Sequence, residues 1–211
     1  MTAALLLLAA YLIGAVPTSY IVGRLTRGID LREHGSGNLG ATNAFRVLGW
    51  RAATPIFIVD VAKGFLPVFF FPRIDATEAI AWSLGYGAAA IFGHMYSIYV
   101  GFRGGKGVAT GGGVFLALAP LAALGSLVIW AVLVFATGYV SLASIASAAA
   151  LPVLIAISGA PGAVLALSCG LAIFVIYAHR ANMRRLLRGE EHRFGRRGRA
   201  RAEHAGGEAD Q

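Results

Sequence analysis

The chain has 211 residues, of which 57% are apolar and only 13% charged, and its mean hydropathy is +0.71. A soluble globular domain is about 45–50% apolar, so these proportions exclude one and predict an all-α polytopic membrane protein. The formal net charge of +8 calls for no nucleic acid, because membrane lipids with anionic headgroups and phosphorylated substrates are natural partners for it. The single cysteine, Cys169, excludes a disulfide framework and argues against a cysteine-based metal site. Neither a metal nor a cofactor is expected.

In chain order, Met1-Thr2-Ala3-Ala4 leads into a leucine run without the basic n-region of a cleaved signal, so this stretch is expected to stay as the first helix. Apolar lengths predict helices near 3–23, 53–72, 79–100, 108–121, 122–137, 139–158 and 161–178. Positions 108–178 carry no charge to mark turns. Two helices there would need about 35 residues each, whereas a span takes about 17–25. Four short helices fit instead, with turns near Pro120, Thr137-Gly138 and Ser158-Gly159-Ala160-Pro161. About seven short transmembrane helices follow, N-terminus out and C-terminus in. Sixteen of the eighteen Lys and Arg residues then fall in segment 24–51, in the loop around Lys106 and in the tail from Arg180 to Arg201. That asymmetry marks this face as cytoplasmic. Residues 1–193 are expected to form the membrane domain and 194–211 a basic, disordered tail.

Three polar clusters fall on the same face. The first is Gly35-Ser36-Gly37-Asn38-Leu39-Gly40-Ala41-Thr42-Asn43-Ala44-Phe45-Arg46. Any one of its Ser, Thr or Asn residues can cap a helix. Asn38, Thr42, Asn43 and Arg46 together are more polar groups than one cap uses, and Arg46 can clamp a phosphate bidentately. The second is Gly101-Phe102-Arg103-Gly104-Gly105-Lys106-Gly107-Val108-Ala109-Thr110. Glycines let backbone N–H groups converge on an anion, while Arg103 and Lys106 add charge and Thr110 a hydroxyl. It is not a Walker A loop, because Val100 stands where the first glycine would be and Gly107 follows the lysine. A glycine-rich turn that grips lipid headgroups is the competing reading. The third is His179-Arg180-Ala181-Asn182, where helical spacing puts His179 and Asn182 on one face. His179 can move a proton, donate to a phosphate or cap its helix. Arg184, Arg185 and Arg188 read as a lipid-facing basic stripe. Asp60 and Lys63 read as a buried structural pair before a Gly64/Pro67 kink, and His94 as a satisfied hydrogen-bonder.

At these positions the chain resembles a known family. Ser36-Gly37-Asn38-x-Gly40-Ala41-Thr42-Asn43, Gly104-Gly105-Lys106-Gly107-Val108-Ala109-Thr110 and His179-x-x-Asn182-x-x-Arg185-Leu186, followed by Glu191 or Glu190, are similar to the three motifs of the bacterial acyl-phosphate glycerol-3-phosphate acyltransferases, the PlsY family. The resemblance runs from the first helix to about Arg193. It implies a seven-helix inner-membrane enzyme that moves an acyl chain from acyl phosphate to the 1-hydroxyl of glycerol 3-phosphate, giving lysophosphatidate and phosphate for phospholipid synthesis. An upstream enzyme that forms acyl phosphate is a further partner it suggests. Ser36, Lys106 and His179 are then the expected catalytic residues. Asn38, Thr42, Asn43, Arg46, Gly104, Gly105, Gly107, Thr110 and Asn182 are expected to bind substrate. Substrate-assisted proton transfer is the implied mechanism, with His179 as general base or a Ser36 acyl-enzyme as alternatives. Ser97 departs from a usual proline and Met183 from a usual isoleucine. A transporter of phosphorylated solutes is the alternative class, although its site would lie near the bilayer midplane and no inverted repeat is visible. The H-x-x-x-x-D motif of other acyltransferases is absent.

Overall fold

The computed structural model describes residues 2–76 and 79–194, and among these every regular element is helical. The elements are α1 (Thr2–Ala15), α2 (Thr18–Arg27), α3 (Ala41–Leu48), α4 (Trp50–Ile74), α5 (Ile80–Met95), α6 (Val108–Leu118), α7 (Pro120–Thr137), α8 (Val140–Ile157), α9 (Gly162–Ala178) and α10 (Arg180–Leu187). A short 3₁₀ turn, Ile98–Val100, follows α5. Each of the seven predicted windows contains helix. By length and composition, 2–27, α4, α7 and α8 can cross a membrane, and α9 with α10 is a fifth candidate if that pair, bent by 56°, counts as one. The turns fall where Pro and Gly predicted them. Pro120 opens α7, while Gly138 closes it at φ 76 with its N–H on the Val134 carbonyl.

Small residues let the helices approach closely. A Cβ on Gly14 or Gly93 would strike backbone of the opposing α5 or α1, and one on Gly64 or Gly113 would strike a carbonyl across the α4–α6 contact. Around α6, α8 and α9 the core is apolar, with Val114, Phe115, Ile155, Val164 and Val175 buried.

The first predicted helix is broken at Val16-Pro17, and this break explains the buried pair in α4. Proline leaves helical carbonyls without intrahelical donors. Lys63 Nζ donates to the Val16 carbonyl at 3.0 Å and Ser97 Oγ to the Ala15 carbonyl at 2.5 Å. Asp60 lies 2.7 Å from Lys63 Nζ and accepts from Thr18 Oγ1 at 3.3 Å. The pair therefore satisfies a broken helix as well as its own charges. Ser97, a departure from the family pattern, acquires a role that proline could not fill. α4 itself runs unbroken through Gly64 and Pro67.

Candidate active site

The three polar clusters meet at one end of the bundle. Asp30 fixes the first: its carboxylate takes Arg32 Nη2 at 2.6 Å, and Arg32 Nη1 donates to the Val100 carbonyl at 2.9 Å, tying this loop to the one that follows α5. The hydrogen bonds from Arg32 hold Asp30 below its usual carboxylate range. Asn43 is the internal brace. Its Oδ1 accepts the Ser36 N–H at 2.8 Å, and its Nδ2 donates to the Leu31 and His34 carbonyls, each at 3.0 Å. Asn43 borders the cavity, yet its amide is committed to holding the loop rather than free for a ligand.

These elements enclose a cavity of about 320 Å³. Ser36, Asn38, Thr42 and Arg46 line it from the first cluster, Lys106 and Gly107 from the second, and His179 and Asn182 from the third. Phe57 and Trp130 give it an apolar flank, and Asp60 and His94 also reach its wall. The 56° bend between α9 and α10 falls at His179. Both His179 and Asn182 are 5% exposed there. His179 Nδ1 is 2.8 Å from the Val175 carbonyl. A carbonyl only accepts, so Nδ1 carries the hydrogen, and the neutral ring holds its lone pair on Nε2.

Lys106 Nζ donates to Asn182 Oδ1. Asn182 Nδ2 donates to Glu191 Oε1 at 2.8 Å, Ser141 Oγ donates to the same oxygen at 2.9 Å, and Arg185 Nε donates to Oε2 at 2.6 Å. Burial works against ionisation of Glu191, but these bonds outweigh it and hold its pKa below the usual value. Burial pulls Lys106 down to about 8, with Arg185, Arg46 and Arg180 acting in the same direction and Glu191 opposing. Arg46 is also lowered by burial. An arginine stays charged regardless, so the cavity offers one fixed cation and one that titrates near working pH.

The structure places three of the expected features elsewhere. Gly104 and Gly105 do not aim their amides into the cavity: their N–H groups donate to the Met95 and His94 carbonyls, both at 3.0 Å. They are glycines because a Cβ would run into the His94 carbonyl or ring. Only Gly107, at φ +79, lines the cavity. Thr110 is fully buried against Gly64, outside the cavity wall, and its hydroxyl has no partner among the described residues. Arg185 belongs to the Glu191 network rather than to a lipid-facing stripe.

Glu191 itself is the main residue that sequence reasoning did not place at the site. It stands in the third motif, but its burial is not legible there: Gly189 at φ +70 turns the chain back, and Glu191 is 5% exposed. Phe194, the first residue of the expected tail, packs on Phe45 with ring centres 4.6 Å apart and planes tilted by 39°, and its N–H donates to the Gly138 carbonyl at 2.7 Å. The rest of that tail, 195–211, lies outside the described residues.

A helical membrane protein whose terminal cavity combines an arginine, a lysine, amide groups and an apolar flank defines a class: integral membrane proteins with a site suited to phosphorylated, amphipathic molecules. Comparison with known proteins narrows it. Residues 4–189 match the family model described as glycerol-3-phosphate acyltransferase. A glycerol-3-phosphate acyltransferase of Syntrophotalea carbinolica is 46% identical over 191 residues, covering 90% of this chain and 96% of that protein. One from Geotalea daltonii is 41% identical, covering 90% and 97%. The crystal structure of PlsY (YgiH), an integral membrane glycerol 3-phosphate acyltransferase in its glycerol 3-phosphate form, superposes with a TM-score of 0.87 at 39% identity, covering 92% of this chain and 96% of that one. Its lysophosphatidic acid form gives 0.84. The chain belongs to the glycerol-3-phosphate acyltransferase family of the PlsY type, and it is an acyltransferase in a multi-pass membrane protein. Membership sets the transporter reading aside.

Proposed function

We propose that this chain transfers an acyl group from acyl phosphate to the 1-hydroxyl of glycerol 3-phosphate. The observation that carries this reading is the convergence of Arg46, Lys106, His179 and Asn182 on one cavity with an apolar flank. An acyl phosphate brings its own leaving group, so catalysis needs chiefly to hold two phosphates and bring the hydroxyl within about 3–3.5 Å of the carbonyl carbon. Lys106 and the Gly107 edge of the loop hold one phosphate. Arg46, His179 and Asn182 hold glycerol 3-phosphate, while Ser36, Asn38 and Thr42 orient the acyl-phosphate head. The hydroxyl oxygen attacks the carbonyl carbon and the bond from that carbon to the phosphate oxygen breaks. The hydroxyl proton leaves on the departing phosphate, giving lysophosphatidate and hydrogen phosphate. The acyl chain lies along the Phe57–Trp130 flank, entering from the bilayer. A Ser36 acyl-enzyme lacks support: the nearby His34 has its Nδ1 on the Asp30 carbonyl at 2.9 Å, and no carboxylate orients a base toward Ser36 among the described residues.

The Lys and Arg asymmetry supports a bacterial inner-membrane location with the N-terminus outside and the site facing the cytoplasm. Purified protein given synthetic acyl phosphate and glycerol 3-phosphate is expected to form lysophosphatidate, and to form none when acyl-CoA replaces acyl phosphate. The reverse preference would overturn the donor assignment.

A further inference from the structure

A second cavity, of about 370 Å³, adjoins the first. Thr42, Phe45, Arg46, Val140 and Phe194 line both, so the two spaces share a wall that includes the Phe45–Phe194 ring pair. Trp50, His192 and Arg193 belong to the second cavity alone. Its lining residues include Arg46, Arg193 and His192 and no acidic residue, with the Arg193 guanidinium 4.9 Å from the centre of the Tyr139 ring. The acid of the same strand of chain, Glu191, is turned away, with both oxygens engaged by Ser141, Asn182 and Arg185. Trp50 is 63% exposed and carries the Arg51 guanidinium 5.6 Å from its ring centre, an arrangement suited to the headgroup level of a membrane. The space is therefore cationic, bordered by aromatic side chains and set against the catalytic cavity across a wall that includes Arg46.

We propose that this cavity is a second phosphomonoester site, an anteroom that receives a phosphate-bearing headgroup on its way to or from Arg46. The inference rests on the reading of glycerol 3-phosphate as substrate and lysophosphatidate as product, either of which carries that headgroup. Arg193 and His192 attract the dianion, and Arg46 takes it over as it crosses beside the ring pair. The strand of chain that supplies them is anchored independently, by the Glu191 network and by the Phe194 N–H on Gly138, so removing their side chains leaves the wall in place.

The test is binding stoichiometry in phosphate-free buffer, by calorimetry on the purified full chain, with glycerol 3-phosphate in one arm and a short-chain lysophosphatidate in the other. Two sites per chain are expected for at least one of the two probes, and one site in His192→Ala/Arg193→Ala. A second site for glycerol 3-phosphate alone marks an entry route, and one for lysophosphatidate alone an exit route; either supports the proposal. The double variant is also expected to raise KM for glycerol 3-phosphate about three- to fivefold, the scale of losing partly exposed charge contacts. Its kcat should stay within about twofold, as for a group outside the transition state. Arg193→Lys, which keeps the charge, should recover most of the KM. His192→Ala alone leaves Arg193 over Tyr139 and should still weaken the second site, which covers loss of fold in the double variant. One site in the wild type for both probes, or unchanged stoichiometry and KM in the variants, would overturn the anteroom. Wild-type turnover of acyl phosphate is scored separately: a turning-over enzyme with one site loses only this proposal, whereas two sites without turnover would refute the reaction and leave the binding site standing.

Discussion

Lys106 and Asn182, 76 residues apart, are joined by a hydrogen bond from Nζ to Oδ1, and Asn182 is held in turn by the buried Glu191 carboxylate. The ammonium is thus aimed by a neutral amide rather than neutralised by a direct carboxylate partner, which keeps its charge available to a phosphate. Lys106→Ala should cost about 10²-fold or more in turnover, by analogy with loss of an oxyanion donor. Lys106→Arg should also be poor, since a planar fork does not fit between Gly105 and Gly107. Near-normal turnover of a folded Lys106→Ala would return the loop to a headgroup-gripping role.

The lowered pKa of Lys106, about 8, sets a pH dependence. The cation is the form that binds phosphate, so raising the pH through that value removes it. kcat/KM for glycerol 3-phosphate should therefore fall on the alkaline side with an apparent pKa near 8, because this ratio reports the free enzyme. Bound phosphate favours the ammonium, so the same limb in kcat should lie at higher pH. An alkaline limb that persists unchanged in Lys106→Arg would assign it to another group.

His179 can be tested by the sign of its limb. With Nδ1–H on the Val175 carbonyl, Nε2 can donate to a phosphate only as imidazolium, and can accept a proton only when neutral. A donor role predicts activity lost as pH rises, and more turnover for His179→Gln and His179→Asn than for His179→Ala. Gln should be the better of the two, because an Asn amide reproduces the Nδ1 position and its Val175 bond. A general base predicts the opposite limb, with activity lost on the acid side as the imidazole protonates, at a pKa that burial and Lys106 lower to about 4, and no advantage of Gln or Asn over Ala. With the free imidazole lowered to about 4, the donor pattern is expected in the substrate complex, where bound phosphate favours the imidazolium; the opposite limb in kcat would sink substrate-assisted transfer.

Helix packing makes a paired prediction. Gly113→Ala places a methyl against the Val61 carbonyl, whereas Gly112 has open space at the same position. Gly113→Ala should destabilise by about 1–3 kcal/mol, as overpacking does. Gly112→Ala should be neutral or slightly stabilising. Thermal unfolding in one detergent compares them, and equal Tm values would refute the close α4–α6 approach.

Topology is checked by single cysteines in a Cys169→Ala background. Reporters at Ser36, Arg103 and Leu187 should label only from the cytoplasmic side, and one at Ala76 only from outside. Arg103 is exposed, whereas a side chain at Gly104 would collide with the His94 carbonyl. Labelling of Leu187 from outside would break the expected orientation.

Sequence alone determined the class, the seven helical windows and the residues that gather at one face, because each rests on local information. Apolar run length sets a helix, Pro and Gly set its ends, and charge asymmetry sorts loops by side. The tertiary structure decided which of the gathered residues face the cavity. Asn43, Gly104 and Gly105 share motifs with Ser36 and Lys106, but their polar groups are taken by the Leu31, His34, Met95 and His94 carbonyls. Those acceptors become available only when segments meet in space. Arg185 reads as surface charge, and Glu191 as a motif residue without a role, for the same reason in reverse: a buried carboxylate is stable only with several donors around it, and Ser141, 50 residues away in sequence, comes within reach only after α10 and the chain beyond it fold back over α8.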